Sequence, residues 1–290
     1  MTVRQVDRLS ASEAHQVLTL AAAAEQADHV YPLSEDVVLR VRGGGAPATH
    51  LLAHAEDGSP AGYAFVDDGA GELFVAPAAR RHGHGTALLA AAGGGPLRFW
   101  AHGDEPGAKA FADKNGFQRV RVLWQMRRPL DAPVADAPWP PGVTMRHFRP
   151  GYDEEAWLGV NSRAFAHHPE QGRWTLDDLR LREQESWFDP TGFLLAVDVG
   201  DRLLGFHWTK VHPATDDDPA LGETYVLGVD PDGHRRGLGA ALEVEGLRYL
   251  AAEGLTTAML YVDEDNEAAV KLYRRLGFEI HKADVMYERS

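Results

Sequence analysis

The chain repeats itself, and this constrains its fold more than any other feature. Residues 73–88 read LFVAPAARRHGHGTAL, and residues 227–242 read LGVDPDGHRRGLGAAL. At one constant offset, Val75-Ala76-Pro77 falls on Val229-Asp230-Pro231, and Gly83 and Gly85 fall on Gly237 and Gly239. Further on, LRFWAH (97–102) matches AMLYVD (258–263), and AKAFADKNGF (108–117) matches AVKLYRRLGF (269–278). Three matches in the same order indicate one domain written twice. Between the copies lies PLDAPVADAPWPPG (129–142), with prolines at 129, 133, 138, 140 and 141. Each proline fixes φ and lacks a backbone donor, so the stretch reads as an extended linker. The expected organisation is a first domain over 1–128, a linker over 129–142 and a second domain over 143–290.

Within the second copy, GFLLAVDVGDRLLGFHWTKVH (192–212) reads as two strands around a Gly-Asp turn. Residues 221–231 continue as a strand that stops at Pro231-Asp232-Gly233. Residues 238–254 carry apolar side chains at helical spacing, with Gly254 suited to the C-terminal cap. A buried strand follows over 255–262, then a helix over 266–278 ended by Gly277, then a final strand over 279–289. Residues 153–165 and 176–188 read as helices ahead of the hairpin. The fold class is therefore α/β, with the same element order expected in both copies.

Composition narrows the function. With 44% hydrophobic and 25% charged residues, the chain has an ordinary globular balance. Twenty-nine Lys and Arg against 43 Asp and Glu leave a formal charge of −14, which argues against nucleic acid as a partner. There is no cysteine, so disulfides, thiolate zinc sites and cysteine nucleophiles are excluded together. No apolar run reaches about 18 residues, and the N-terminus lacks a signal-peptide core. The expectation is a soluble, cytoplasmic monomer with no membrane partner.

The repeated glycine turns suggest what is bound. A strand end followed by Gly-x-Gly at a helix start gathers unpaired N–H groups around one point, where the helix dipole adds partial positive charge. Arg80, Arg81 and His82, and likewise His234, Arg235 and Arg236, add cationic groups to the two turns. Arg80-x-x-Gly83-x-Gly85 resembles the (Q/R)-x-x-G-x-(G/A) signature of the GCN5-related N-acetyltransferase (GNAT) family. The second copy departs from it at His234, where the family carries Gln or Arg. The resemblance spans nearly the whole chain and implies two tandem GNAT domains of mixed α/β sheet. The spacing is not a dinucleotide-binding fingerprint.

What the resemblance implies about the site is specific. Acetyl-CoA, as acetyl donor, would lie against Leu227, Gly228, Val229, His234, Arg235, Arg236, Gly237, Leu238, Gly239 and Ala240. Asn266, Glu267, Ala268, Ala269, Val270 and Lys271, on the following helix, would complete that surface. The counterpart in the first copy is Leu73, Phe74, Val75, Arg81, His82, Gly83, His84, Gly85 and Thr86. Glu223 is implied as general base and Tyr273 as general acid. Their aligned positions in the first copy, Gly69 and Ala112, cannot move a proton. The first copy is therefore expected to hold acetyl-CoA without transferring it.

LGFHWTKVHP (204–213), MLYVDEDNEAAVKLYRRLGF (259–278) and QMRRPL (125–130) resemble tandem family members that act on an amino-sugar conjugate. That resemblance implies the cysteinyl amine of a cysteinyl-glucosaminyl-inositol as acceptor. Glu35, Glu170, Lys210, Glu223 and Tyr261 are its implied contacts, with His207, Trp208 and His212 along the same strand as Lys210. His167-His168 lacks metal-ligand spacing, and no metal is expected. Two other readings stay open: acetylation of another small-molecule or peptide amine, and a non-catalytic acyl-CoA sensor.

Overall fold

A computed structural model describes every residue except 135, 169–170, 216 and 234–236. The chain forms two compact units, residues 1–124 with 282–290, and residues 125–281. The first contains β1 (Thr2–Val6), α1 (Ala11–Asp28), α2 (Glu35–Val41), β2 (Thr49–His54), β3 (Pro60–Asp67), β4 (Ala70–Val75), α3 (His84–Ala91), β5 (Leu97–Ala101), α4 (Pro106–Lys114) and the start of β6 (Gln118–Pro129). The second contains the end of β6, β7 (Val143–His147), α5 (Glu154–Ala164), α6 (Leu176–Glu183), β8 (Phe193–Asp198), β9 (Leu203–His212), β10 (Leu221–Val229), α7 (Leu238–Ala252), β11 (Thr257–Asp263) and α8 (Glu267–Arg275). The final strand, β12 (Glu279–Arg289), gives residues 282–289 to the first unit. The element order repeats as the sequence copies anticipate.

In the first unit the sheet order is β1-β2-β3-β4-β5-β12, with β4 and β5 parallel. Alternation of side chains builds two cores on its faces. Val17, Ala21 and Val37 of α1 and α2 pack on Leu52, Tyr63 and Phe65, while Leu88 of α3 packs on Leu51, Ala53 and Ala64. In the second unit the order is β6-β11-β10-β9-β8-β7, with β10 and β11 parallel. Trp157 of α5 joins Phe193, Phe206 and Trp208 on one face, and Leu238 and Leu242 of α7 join Ala196 and Leu204 on the other. Each sheet is thus covered by helices on both faces.

The compact units do not follow the boundaries expected from the sequence. Residues 282–290 join the first unit because β12 pairs antiparallel with β5, from Val285 opposite Ala101 to Arg289 opposite Leu97. Val285 and Tyr287 pack there with Phe99 and Phe117. The proline-rich stretch lies in the second unit, where the Leu130 N–H donates to the Thr256 carbonyl at 2.9 Å. No helix or strand occurs among its described residues from 130 to 142. Helix α6 also stops at Glu183 rather than 188, because the chain turns to bring the Trp187 and Phe188 rings to 5.7 and 5.8 Å from Trp208. Among the described residues no helix is long and apolar enough to cross a membrane.

A buried charge cluster fastens β12 into the first unit. His102 Nδ1 lies 3.0 Å from Asp284 and Nε2 lies 3.4 Å from Glu72, while the Gly103 N–H donates to Asp284 at 2.9 Å. Burial alone would lower the imidazole's pKa, but the two carboxylates outweigh it and hold the pKa up at about 10. In the unfolded chain it would be about 6.5. The cluster's contribution to stability is then complete below about pH 6.5 and falls as the pH rises towards 10. His102→Gln should destabilise the protein by about 3 kcal/mol near neutral pH. Chemical denaturation across pH 6 to 10 should show a decline in the parent that the variant lacks.

Candidate active site

Strand β10 positions the expected chemistry. Its parallel ladder with β11 runs only from Leu221 opposite Thr257 to Thr224 opposite Leu260. The first unit repeats this break, since β4 pairs with β5 only from Ala70 to Glu72. Past the break, β10 stays paired with β9, but the register shifts between Thr224 and Val226, so Tyr225 is a bulge residue. β3 and β4 pair without any such shift. Counted from the shared Val75 and Val229 along these ladders, Ala70 is the counterpart of Glu223, one position from the Gly69 expected at constant offset.

Glu223 is 6% exposed and accepts a 2.7 Å hydrogen bond from, or shares a proton with, His212 Nε2. Lys210 is its Cα partner across the ladder and is buried as well. The Lys210 ammonium sits 4.5 Å from the Trp187 ring and 5.1 Å from the Tyr225 ring. Strand alternation separates these from His207, another residue expected along the same strand. His207 faces α7, where Nδ1 bonds the Leu242 carbonyl at 2.9 Å, and burial holds its pKa down at about 4. Trp208 is fully buried, stacked on Phe193 at 4.4 Å. Trp208 shares the face of Lys210 and packs against the Trp187 and Tyr225 rings at 5.7 and 5.3 Å, so only His207 is turned away.

Tyr273, on α8, is 7% exposed, and its ring meets Phe278 edge-on at 5.8 Å. Burial, then the charge of Glu243, raise its pKa well above the ordinary phenol value. The hydroxyl therefore carries a proton at neutral pH. Glu243 is fully buried on α7 and accepts from Thr224 Oγ1 at 2.9 Å. Burial pushes its carboxyl up to about 7, against opposing contributions from Thr224 and Arg128. Gly246 lets this side close, since a Cβ there would come within 1.9 Å of the His207 ring.

The two capping glycines have nearly the same backbone conformation. Gly83 caps α3 with φ +90° and Gly237 caps α7 with φ +87°, and neither helix start has a side-chain cap. Glycine takes this left-handed conformation without strain, and the uncapped N–H groups suit a pyrophosphate. A Cβ at Gly228 would fall 2.7 Å from the Phe206 ring. Leu227 and Val229 pack with the core that Leu238 and Leu242 form, and Gly239 approaches Val229. Asn266 caps α8 by accepting from the Ala269 N–H at 3.2 Å, Val270 is buried, and Glu267 pairs with Lys271 at 3.1 Å on the exposed face that Ala268 shares. Ala240 is half-buried in the first turn of α7.

In the first copy, Leu73 and Val75 are half-buried and Phe74 is buried. A cavity of about 1000 Å³ opens beside His82 and His84. Buried His84 Nδ1 has no hydrogen-bond partner, while Arg81, Thr86 and Gly83 are exposed and Gly85 abuts Phe111. Arg80 is committed elsewhere, to Asp28 at 2.7 and 2.5 Å.

Other expected residues are placed as follows. Tyr261 is 40% exposed, and its hydroxyl accepts from Gln125 Nε2 at 2.8 Å. Glu35 opens α2 in the first unit. Glu170, His234, Arg235 and Arg236 lie outside the described residues. His168 Nδ1 accepts from the Gln171 N–H, and no group of three or more His, Cys, Asp or Glu able to hold a metal occurs among the described residues. Sequence reasoning missed Arg182, whose Nε donates to the Tyr225 hydroxyl at 2.8 Å, and Glu243. A buried charge inside an amphipathic helix leaves no periodic signal that marks it.

Comparison with known proteins shows the family. Residues 160–278 match the acetyltransferase (GNAT) family model. A mycothiol acetyltransferase of Salinispora arenicola is 55% identical over 99% of this chain and 97% of its own length. One from Geodermatophilus obscurus is 54% identical over 99% and 98%. The chain belongs to the mycothiol acetyltransferases of the GNAT family. A tandem GNAT protein from the clavulanic acid biosynthesis pathway has the same fold, with a TM-score of 0.72 at 20% identity over 99% of this chain and 98% of that one. A GCN5-related N-acetyltransferase from Sphaerobacter thermophilus gives 0.67 at 26% identity over 99% and 95%. As a GNAT acetyltransferase the chain is an N-acetyltransferase that takes its acetyl group from acetyl-CoA.

The left-handed cap predicts a cofactor-binding defect. Gly237→Ala adds a strain of about 1–2 kcal/mol, which should raise the KM for acetyl-CoA roughly 5- to 30-fold. Gly83→Ala, in the first copy, should leave steady-state turnover within about twofold, by the same assay.

Proposed function

We propose that the chain acetylates the cysteinyl amine of a cysteinyl-glucosaminyl-inositol, giving mycothiol and coenzyme A, and that the second copy alone does the chemistry. The observation that carries this reading is the presence in that unit of a buried Glu223, bonded to half-buried His212, together with a buried, protonated Tyr273. The first copy has Ala70 and Ala112 at the corresponding places. The acceptor follows the relatives, which are named mycothiol acetyltransferase at 50–55% identity over nearly the full chain.

An unperturbed α-amine has a pKa of about 8, so a minority is neutral at pH 7 and a base need only complete its deprotonation. Glu223 accepts that proton as the nitrogen–carbon bond forms, with His212 holding the carboxylate in place. A β10 backbone N–H beyond Thr224, where the β11 ladder has ended, donates to the acetyl oxygen as it gains charge. Tyr273 gives its proton to the coenzyme A sulfur as the carbon–sulfur bond breaks, and solvent restores it. Lys210, and Tyr261 at the rim, supply polar contacts to the hydroxyl-rich acceptor. Glycine-capped α3 and the cavity beside His84 support acetyl-CoA binding in the first copy without transfer.

Glu223→Gln and Tyr273→Phe should each lower kcat by roughly 10²- to 10⁴-fold. Acetyl-CoA binding, measured by calorimetry, should persist in both. With labelled acetyl-CoA, label should reach the sugar conjugate and not a peptide amine. Labelling of the peptide alone would reject the acceptor, and undiminished turnover in the double variant would reject the site.

A further inference from the structure

β10 holds one residue more than the regular ladder needs. In the first copy Ala70, Gly71 and Glu72 face Asp67, Val66 and Phe65 in unbroken register. In the second, Glu223 and Thr224 face Lys210 and Thr209, and Val226 faces Trp208, leaving Tyr225 over. The first copy therefore lacks the base, the lysine and the added tyrosine together, with Ala70 and Asp67 in place of Glu223 and Lys210. The first two differences fall in one ladder pair, Glu223 with Lys210, two residues before the bulge that holds the third.

The added ring is held by two cationic side chains. Arg182 Nε donates to the Tyr225 hydroxyl at 2.8 Å, and the Arg182 guanidinium lies 3.8 Å from the Trp174 ring. The Lys210 ammonium lies over the Tyr225 ring at 5.1 Å and over the Trp187 ring at 4.5 Å. Trp187 and Tyr225 themselves meet edge-on at 5.1 Å. Two aromatic faces restrict a flexible four-carbon side chain to one direction, on the face that Glu223 shares.

We propose that Tyr225 is a positioning residue for the acetyl acceptor: with Trp187 it holds the Lys210 ammonium on the face of the sheet where Glu223 receives the amine. The inference rests on the reading of Lys210 as an acceptor contact. It makes the bulge, and not only the catalytic pair, a determinant of which hydroxyl-bearing amines are accepted.

The test compares Tyr225→Leu, Tyr225→Phe and Lys210→Met, alone and combined, by steady-state kinetics with the sugar conjugate and acetyl-CoA. Tyr225→Leu should raise the KM for the acceptor roughly 3- to 30-fold. The KM for acetyl-CoA should stay within twofold, and Tyr225→Phe, which keeps the ring, should restore most of the loss. In the Lys210→Met background the Tyr225→Leu effect should vanish, because it acts through the ammonium. Equal changes in both KM values, no rescue by Phe, or additivity with Lys210→Met would overturn the inference while leaving Lys210 as a contact. A Lys210→Met enzyme with unchanged acceptor KM would overturn the contact and the inference together. Trp187→Leu carries the same expectation as Tyr225→Leu if the latter does not fold.

Discussion

Successive side chains of a β-strand face opposite sides of the sheet, so the face a residue occupies is fixed by counting from any anchored neighbour. In β10 the anchor is the phosphate-loop end, where Leu227 and Val229 pack with the core formed by Leu238 and Leu242 of α7. A regular strand counted back from Val229 would turn Glu223 towards α7, into the apolar core. The bulge at Tyr225 adds one residue and reverses that parity. Glu223 then shares the face of Lys210 and His212, while Thr224 turns to Glu243. In the proposed function the strand must both end in a cofactor loop and present a base, and that single residue reconciles the two demands.

Much of the fold is readable from the sequence because it is local and repeated. The glycine pairs at 83, 85, 237 and 239 mark two helix starts, and the structure gives Gly83 and Gly237 nearly the same left-handed φ. Gly254 and Gly277 close α7 and α8 with positive φ, as expected of residues just past a helix end. The bulge is not readable in the same way. A constant offset between the copies hides an insertion of one residue, which is why it aligns Gly69 and not Ala70 with Glu223. The turn of His207 towards α7 follows from strand parity, which naming it beside Lys210 and His212 on one strand does not reveal. The assignment of β12 depends on long-range pairing with β5 and on Asp284 meeting His102, and neither is written locally.

The proposed base and the proposed acid lie in opposite environments. Glu223 lies on a face carrying His212, Lys210 and Arg182, where an anion is met by nearby donors and cations. Tyr273 lies in an apolar setting with Phe278, under the influence of buried Glu243, where ionisation of the phenol is opposed first by burial and then by that charge. A base must stay ready to accept a proton and an acid must keep one until the sulfur leaves. One dielectric environment could not serve both. Glu243 also bonds Thr224, the residue next to Glu223, so the backbone of β10 joins the two settings. Burial raises the pKa of that carboxyl, so the same exclusion of water that keeps the Tyr273 phenol protonated also opposes charge on its buried neighbour.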